Sequence, residues 1–294
     1  MSQDPIVPRS NAELARQPTV FAPGMLQGQT VFVSGAGSGI GRATAWLAAR
    51  LGAKVIVGGR TEEKLRIVAD AINAEPGLCA AWQTFDIRNR GSVDAAFAAV
   101  TAAHGDIDLL VNSAGGQFPQ AAIDYSENGW QAIINTNLHG TWHMMHVAAQ
   151  TWRARAHGGS IVNIVVVNQG LYGVAHTSAA RAGVIAFSQK AAVEWAQHGI
   201  RVNCIAPGAI ETEGWAVYSE TTRARYPRTN PLMRAGSPWE IAEACLFVGG
   251  PGGRFINGET LVVDGGGQHW GEIWTTGKPE YFAAATRLWD DQPD

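Results

Sequence analysis

The stretch Ala175-His176-Thr177-Ser178-Ala179-Ala180-Arg181 brings an imidazole, two hydroxyls and a guanidinium together at the start of a helical pattern. Thr177 and Arg181 stand four residues apart, so on a helix they share one face. Such a pair can donate hydrogen bonds to a polarised oxygen. It is poorly suited to proton transfer, because an aliphatic alcohol is a far weaker acid than a phenol and a guanidinium does not deprotonate near neutrality. His176 is either a capping or surface group or a proton donor. Tyr172, set between Gly170 and Gly173 in Gly-Leu-Tyr-Gly, either packs or swings over a substrate. Ser178 suits a helix start better than a nucleophile.

A second constellation lies upstream. Ser34-Gly35-Ala36-Gly37-Ser38-Gly39-Ile40-Gly41 follows an apolar run and opens a helical pattern. Glycines at 35, 39 and 41 permit close backbone approach, and a helix N-terminus offers free N–H groups to a pyrophosphate. The next apolar run ends Gly58-Gly59-Arg60. A dinucleotide site for NAD ordinarily carries a carboxylate there for the ribose 2′-hydroxyl. None is present, and Arg60 can pair with a 2′-phosphate, so NADP(H) is expected in preference to NAD(H). Glu62 and Glu63 belong to the first turn of the following helix, where the helix dipole favours them.

These residues need a frame. Short runs rich in Val and Ile recur at 30–34, 54–58, 80–85, 109–112, 160–167, 201–206 and 260–264. Helical patterns lie between them, near 40–51, 62–74, 92–104, 128–152, 178–198 and 238–248. Strands this continuously apolar are buried on both faces, and alternation with helices implies a parallel sheet. The fold class expected is α/β, a Rossmann-type doubly wound parallel sheet of about seven strands with helices on both faces. An N-terminal arm spans 1–24, the main domain 25–265, and a C-terminal extension 266–294. Residues 209–237 lack periodicity and are expected to form a substrate loop or lid.

Composition narrows the classes. The 294 residues are 46% hydrophobic and 16% charged, with a net charge of −3. That supports a sizeable core and argues against nucleic acid as a partner. No apolar run reaches the ~18 residues of a membrane span. Cys79, Cys204 and Cys245 share no ligand spacing, so no metal is expected; they suit reduced core residues of a cytoplasmic protein.

The ordered motifs resemble the short-chain dehydrogenase/reductase family. Ser-Gly-Ala-Gly-Ser-Gly-Ile-Gly (34–41) matches its cofactor loop, implying contacts from Gly35, Ser38, Gly39, Ile40 and Gly41. Asp86 and Ile87 in Phe-Asp-Ile-Arg-Asn match the segment that holds adenine. Asn112-Ser113-Ala114-Gly115 is similar to the family's Asn-Asn-Ala-Gly, implying cofactor contacts from Asn112, Ala114 and Gly115. Asn137 falls on an Asn that kinks a helix and binds a water. Pro207, Gly208, Ile210 and Thr212 fall beside the nicotinamide. Arg181 falls at the family's catalytic Lys, which holds the ribose, and Thr177 at its Tyr. The family's Ser falls on Val166 or Val167. Members are commonly homotetramers built on the two long helices.

Phe21–Gln29, Gly115–Phe118, His157–Ile164, Ala175–Val184 and Ala192–Ala196 further resemble peroxisomal trans-2-enoyl-CoA reductases and bacterial citronellol/citronellal dehydrogenases. Carbonyl reduction creates a localised alkoxide that needs an immediate proton, and the usual donor is missing. Reduction of an enoyl thioester spreads charge into an enolate, which a few hydrogen-bond donors can hold. An NADPH-dependent enoyl-CoA reductase is therefore the first reading, with Thr177, Asn137, His176 and Tyr172 as candidate donors. An NADP-dependent alcohol or carbonyl dehydrogenase is the second. A dinucleotide-binding protein without redox turnover is the third. Arg223, Arg225, Arg228 and Arg234 suit either the phosphates of an acyl-CoA or a solvated loop. Trp270, Trp274 and Trp289 suit either a pocket wall or a subunit contact.

Overall fold

The computed structural model describes residues 10–167, 173–217 and 220–270. Seven parallel strands form one sheet in the order β3-β2-β1-β4-β5-β6-β7. They are β1 (Thr30–Ser34), β2 (Lys54–Gly59), β3 (Cys79–Thr84), β4 (Leu109–Asn112), β5 (Gly159–Ile164), β6 (Ile200–Pro207) and β7 (Thr260–Val263). The order reverses between β1 and β4, the switch point where open α/β sheets bind ligands beyond the carboxyl ends of their strands.

The helices are α1 (Asn11–Arg16), α2 (Gly39–Arg50), α3 (Glu62–Asn73), α4 (Arg90–His104), α5 (Glu127–Ile134), α6 (Thr141–Arg155), α7 (Ala175–Trp195), α8 (Glu220–Arg225) and α9 (Pro238–Gly249). One core layer packs Val31, Val33, Val55 and Val57 against Trp46 and Leu47 of α2 and Leu246 of α9. The other packs Phe32, Ile56 and Leu110 against Phe97 of α4, Met144 of α6 and Ala191 of α7. Alternate residues of each strand thus feed opposite layers, as a sheet buried on both faces requires.

Three features depart from the sequence expectation. The segment Ser10–Arg16 is helical: Ser10 and Glu13 form a capping box, and Leu14 sinks into the α2 core layer. The helix expected over 128–152 is interrupted by a π-turn at Asn135–Gly140. There Thr141 Oγ1 donates to the Asn137 carbonyl at 2.9 Å, covering an oxygen that the wider turn releases. Cys79 is exposed, because β3 is an edge strand, while Cys204 and Cys245 are buried free thiols. No helix among the described residues is long and apolar enough to cross a membrane.

Candidate active site

Two cavities open at the carboxyl ends of the strands. The first, of about 350 Å³, is lined by Gly35, Ser38, Gly39, Ile40, Arg60, Asp86, Ile87, Ala114 and Gly115, among others. Gly35 takes φ +71°, and a Cβ there would stand 2.7 Å from the Ala114 backbone, so only glycine lets the β1 loop close on the β4 loop. Ser38 precedes α2 without capping it through its side chain. Gly58, at the end of β2, lies against the rings of Phe32 and Phe85, where a Cβ would approach within 2.6 and 2.7 Å. Any larger side chain is excluded at Gly58 by these two buried rings, whereas Gly59, the last residue of β2, lines the cavity with room for a Cβ.

One end of this cavity is basic. Arg60, Lys64 and Arg88 line it together with Asp86. Arg88 grips both oxygens of Asp86, with Nε at 3.0 Å from each and Nη2 at 2.6 Å from one. The Arg88 hydrogen bond holds the Asp86 carboxyl below the usual carboxylate range, and Arg60 adds a smaller pull in the same direction. Arg60 is exposed and enters no ion pair among the described residues. At the opposite end, the Gly39 N–H donates to a Glu213 carboxylate oxygen at 2.9 Å.

The second cavity, of about 470 Å³, is predominantly apolar. It is lined by Val165, Val166 and Val167, by Pro207, Gly208 and Ile210, and by Gln117 and Trp215. Thr212, Gly214, Ile40 and Ile164 face both cavities. The expected strand over 160–167 ends at Ile164, although the Val165 N–H still bonds the Ile205 carbonyl of β6 at 2.8 Å, and Val165, Val166 and Val167 line the cavity.

Behind the loop at 114–116 lies the α7 cluster. Arg181 is 6% exposed. Its guanidinium reaches the Ala114 carbonyl, the Asn137 carbonyl and Thr141 Oγ1, each at 3.4 Å. No carboxylate pairs with it among the described residues. Burial alone lowers it to about 10, with a small opposing effect from the nearby Cys204 thiol. The Asn137 side chain holds Gly116 from both sides, accepting from its N–H at 3.0 Å and donating to its carbonyl at 2.8 Å. Thr177 Oγ1 is buried without a hydrogen-bond partner, as is His176 Nε2. The His176 ring stacks on Tyr125 at 4.5 Å and meets the edge of Phe118 at 4.5 Å. Desolvation pushes this imidazole below its ordinary value, against a weaker opposing effect from the backbones of Val174 and Phe118, so it is neutral at pH 7. Its Nδ1 accepts the Thr177 N–H at 2.8 Å, which leaves the proton on Nε2.

A family model described as enoyl-(acyl carrier protein) reductase matches residues 35–268. The chain is 36% identical over 248 residues to a probable 2,4-dienoyl-CoA reductase of Bacillus subtilis, covering 82% of this chain and 97% of that one. It is 34% identical over 243 residues to the 3-oxoacyl-[acyl-carrier-protein] reductase FabG of Chlamydia pneumoniae, covering 82% and 97%. Among solved structures it matches the citronellol catabolism dehydrogenase AtuB of Pseudomonas aeruginosa PAO1 with a TM-score of 0.75 and 38% identity, over 85% of this chain and 99% of that one. The chain is a short-chain dehydrogenase/reductase. It is an oxidoreductase of a family that binds NAD(P).

In this short-chain dehydrogenase/reductase most of the expected cofactor residues converge. Gly35, Ser38, Gly39, Ile40, Arg60, Asp86, Ile87, Ala114 and Gly115 line the first cavity, and Pro207, Gly208, Ile210 and Thr212 the second. Gly41 lies behind the loop, where a Cβ would strike the Gly35 carbonyl at 2.4 Å, so it serves packing. Asn112 is 2% exposed and donates to Asn163 Oδ1 at 2.8 Å, within the sheet and off both cavity walls. Thr177, His176, Asn137 and Arg181 line neither cavity; Arg181 and Asn137 sit behind the loop at 114–116. Tyr172 lies outside the described residues, as do Trp274 and Trp289. Of the loop arginines, Arg234 is bonded to both oxygens of Glu240, at 2.6 and 3.1 Å, which leaves it committed to the start of α9. Lys64, Gln117, Trp215 and Glu213 escape sequence reasoning. Lys64 alone carried a usable signal, a base one helical turn after Arg60.

Proposed function

We propose that this oxidoreductase reduces the carbon–carbon double bond of an enoyl-CoA thioester with NADPH. The observation that carries the reading is an apolar substrate cavity walled by Val165–Val167, with a buried threonine and an unpaired arginine where the family's proton-transfer pair stands. A reaction that needs an immediate local proton donor is disfavoured in such surroundings. One whose charge spreads into a thioester enolate requires only hydrogen-bond donors and a later proton from water.

The first cavity fits a dinucleotide. Its glycine cradle would be filled by a Cβ at Gly35, and a carboxylate already bonds the N-terminal N–H of α2, as an anion there should. Bound NADPH supplies the hydride. Arg60, with Lys64 beside it, supports a 2′-phosphate over a free hydroxyl. Arg181 supports the ribose side of the site from behind the 114–115 peptide, where its guanidinium bonds the Ala114 carbonyl. Asn137 holds the 116 peptide in place, so the loop between the cavities keeps its shape during turnover. Thr212 and Gln117 bring polar side chains to the apolar cavity, and Thr177 keeps a buried hydroxyl behind it.

The likeness to AtuB and FabG supports a second reading, oxidation or reduction at an alcohol or carbonyl carbon. Following NADPH absorbance with purified protein and trans-2-enoyl-CoAs, ketones and alcohols separates the two. Consumption with enoyl-CoA supports the first. Turnover confined to free carbonyls or alcohols sinks it, and dinucleotide binding without turnover on any of them points to a non-redox role.

A further inference from the structure

We propose that Glu213 is a built-in substitute for the cofactor's diphosphate, and that its displacement couples cofactor arrival to the shape of the substrate cavity. The inference rests on the reading of the first cavity as the dinucleotide site.

One oxygen of the Glu213 carboxylate accepts the N–H of Gly39, the first residue of α2, at 2.9 Å. The other lies 2.8 Å from Arg42 Nη2, one turn further along the same helix. A backbone N–H at a helix start and an adjacent guanidinium are the donors that a phosphate seeks. Gly39 and Glu213 line the first cavity together with the glycine loop, Arg60, Lys64 and Asp86, and Arg42 holds Glu213 from the α2 side. A diphosphate and the carboxylate cannot share these donors, because two anions at contact distance repel strongly where water is partly excluded. Cofactor arrival therefore has to evict Glu213.

Eviction is mechanically feasible. Glu213 begins a short 3-10 turn, Glu213–Val217, beyond the end of β6, and its side chain is 37% exposed. It has consequences next door. Thr212 and Gly214, the two residues bonded to it, line both cavities, and Trp215 lines the apolar one. Thr212 also stands against the α2 start, where a Cβ on Gly39 would meet its Cγ2 at 3.3 Å. Moving Glu213 away from α2 moves the peptide that separates the sites. The turn that carries Glu213 is thus expected to sit differently against the apolar cavity once the dinucleotide is bound. Reciprocally, a substrate that prefers the displaced turn tightens the cofactor.

The test is a fluorescence titration of wild type, Glu213→Ala, Glu213→Gln and Glu213→Asp with NADPH, ADP and adenosine. Removing the competing charge-assisted contact should tighten NADPH and ADP by about three- to tenfold in the Ala and Gln variants. Adenosine, which has no phosphate, should bind all four proteins equally, and Asp should lie nearer wild type. Limited trypsin digestion reads the coupling: ADP, and not adenosine, should change the cleavage rate at Arg223 and Arg225 in wild type. Glu213→Ala should show the changed rate without ligand. Unaltered NADPH and ADP affinities in both neutral variants overturn the proposal, and so does a cleavage pattern that ADP leaves untouched. If the wild type binds no nicotinamide dinucleotide at all, the dinucleotide reading itself fails, and the inference falls with it.

Discussion

Replacing Arg181 by Met should make the protein more stable and less able to hold its cofactor. The guanidinium is buried, touches three oxygens only at 3.4 Å, and has no carboxylate partner among the described residues. Burial lowers it from the ordinary arginine range to about 10. At about 1.4 kcal/mol for each tenfold in acidity, that displacement corresponds to roughly 3 kcal/mol of unfavourable burial. The sign follows from proton counting. Below pH 10 both the folded and the unfolded chain carry the proton, so the cost is fully present at pH 7 and does not vary with pH there. It is relieved only as pH rises through 10 towards the ordinary value, where the unfolded chain still binds a proton that the folded one has lost. Met retains most of the apolar stem but forfeits the three weak contacts, so a net gain of about 1–2 kcal/mol is expected. For a domain of this size that is a rise in Tm of roughly 2–8 °C. Arg181→Lys keeps a buried charge and should show no such gain. Urea unfolding with an unchanged m-value is the assay for stability, and NADPH titration the assay for function, with a loss of at least about tenfold expected in Arg181→Met. A variant that is less stable than wild type refutes the claim that this charge is uncompensated. A more stable variant with undiminished NADPH affinity refutes its assignment to the cofactor.

Four further perturbations test separate parts of the site. Thr177→Val removes a buried hydroxyl that lacks a partner, so stability should hold or rise by up to about 1 kcal/mol, while kcat should fall at least about tenfold if the hydroxyl serves the reaction. Arg60→Glu should weaken NADPH far more than NADH, and equal losses would remove the case for a 2′-phosphate. Gly58→Ala drives a methyl into the buried Phe32 and Phe85 rings and should cost about 1–3 kcal/mol in urea unfolding; a neutral outcome would show that the rings yield. His176 is held neutral by burial, so as pH falls through about 6.5 the unfolded chain takes up a proton that the folded imidazole refuses. Stability should drop across that limb, and His176→Gln should flatten it. His104 and His146 are lowered by desolvation too, so part of the slope should remain in that variant.

The five inner strands were legible because they are buried on both faces, and burial on both faces writes itself as a nearly unbroken apolar run, whereas the edge strands β3 and β7 are only partly buried. The same signal misleads at Val165–Val167. The paired register with β6 ends at Ile164 and Ile205; Val165 still bonds the Ile205 carbonyl and packs on Val184 and Cys204, while Val166 and Val167 line the cavity beyond it. Period alone cannot tell a strand from a cavity wall. The π-turn was hidden for a related reason. Its cause is a set of contacts distant in sequence: Asn137 to Gly116, Arg181 to the Asn137 carbonyl, and Gly140 against Ile87, where a Cβ would stand 2.6 Å from Cγ1. Asn112 shows the converse. Ser34, Asn112 and Asn163 are paired across three strands, and that row places the Asn112 amide against Asn163. Motif position brought Asn112 to the right turn, and sheet register turned its side chain away from the cavity.

At 181 an arginine stands where the family carries a lysine. Arginine is longer than lysine and ends in a rigid planar fork, so it fits a lysine's place only where the opposite wall recedes. Here the wall is Gly115. A Cβ at that residue would run into the Arg181 guanidinium and would stand 3.1 Å from Asn137 Oδ1. Gly115→Ala is therefore not a surface change. It should push the fork out of its slot, loosen the Asn137 clamp on Gly116, and reduce NADPH affinity together with that of the substrate. Pairing it with Arg181→Lys should recover much of the loss, because the shorter, narrower ammonium leaves room for the methyl. Independent, additive losses in the double variant would show that the two residues do not share the slot, and that Arg181 is accommodated elsewhere.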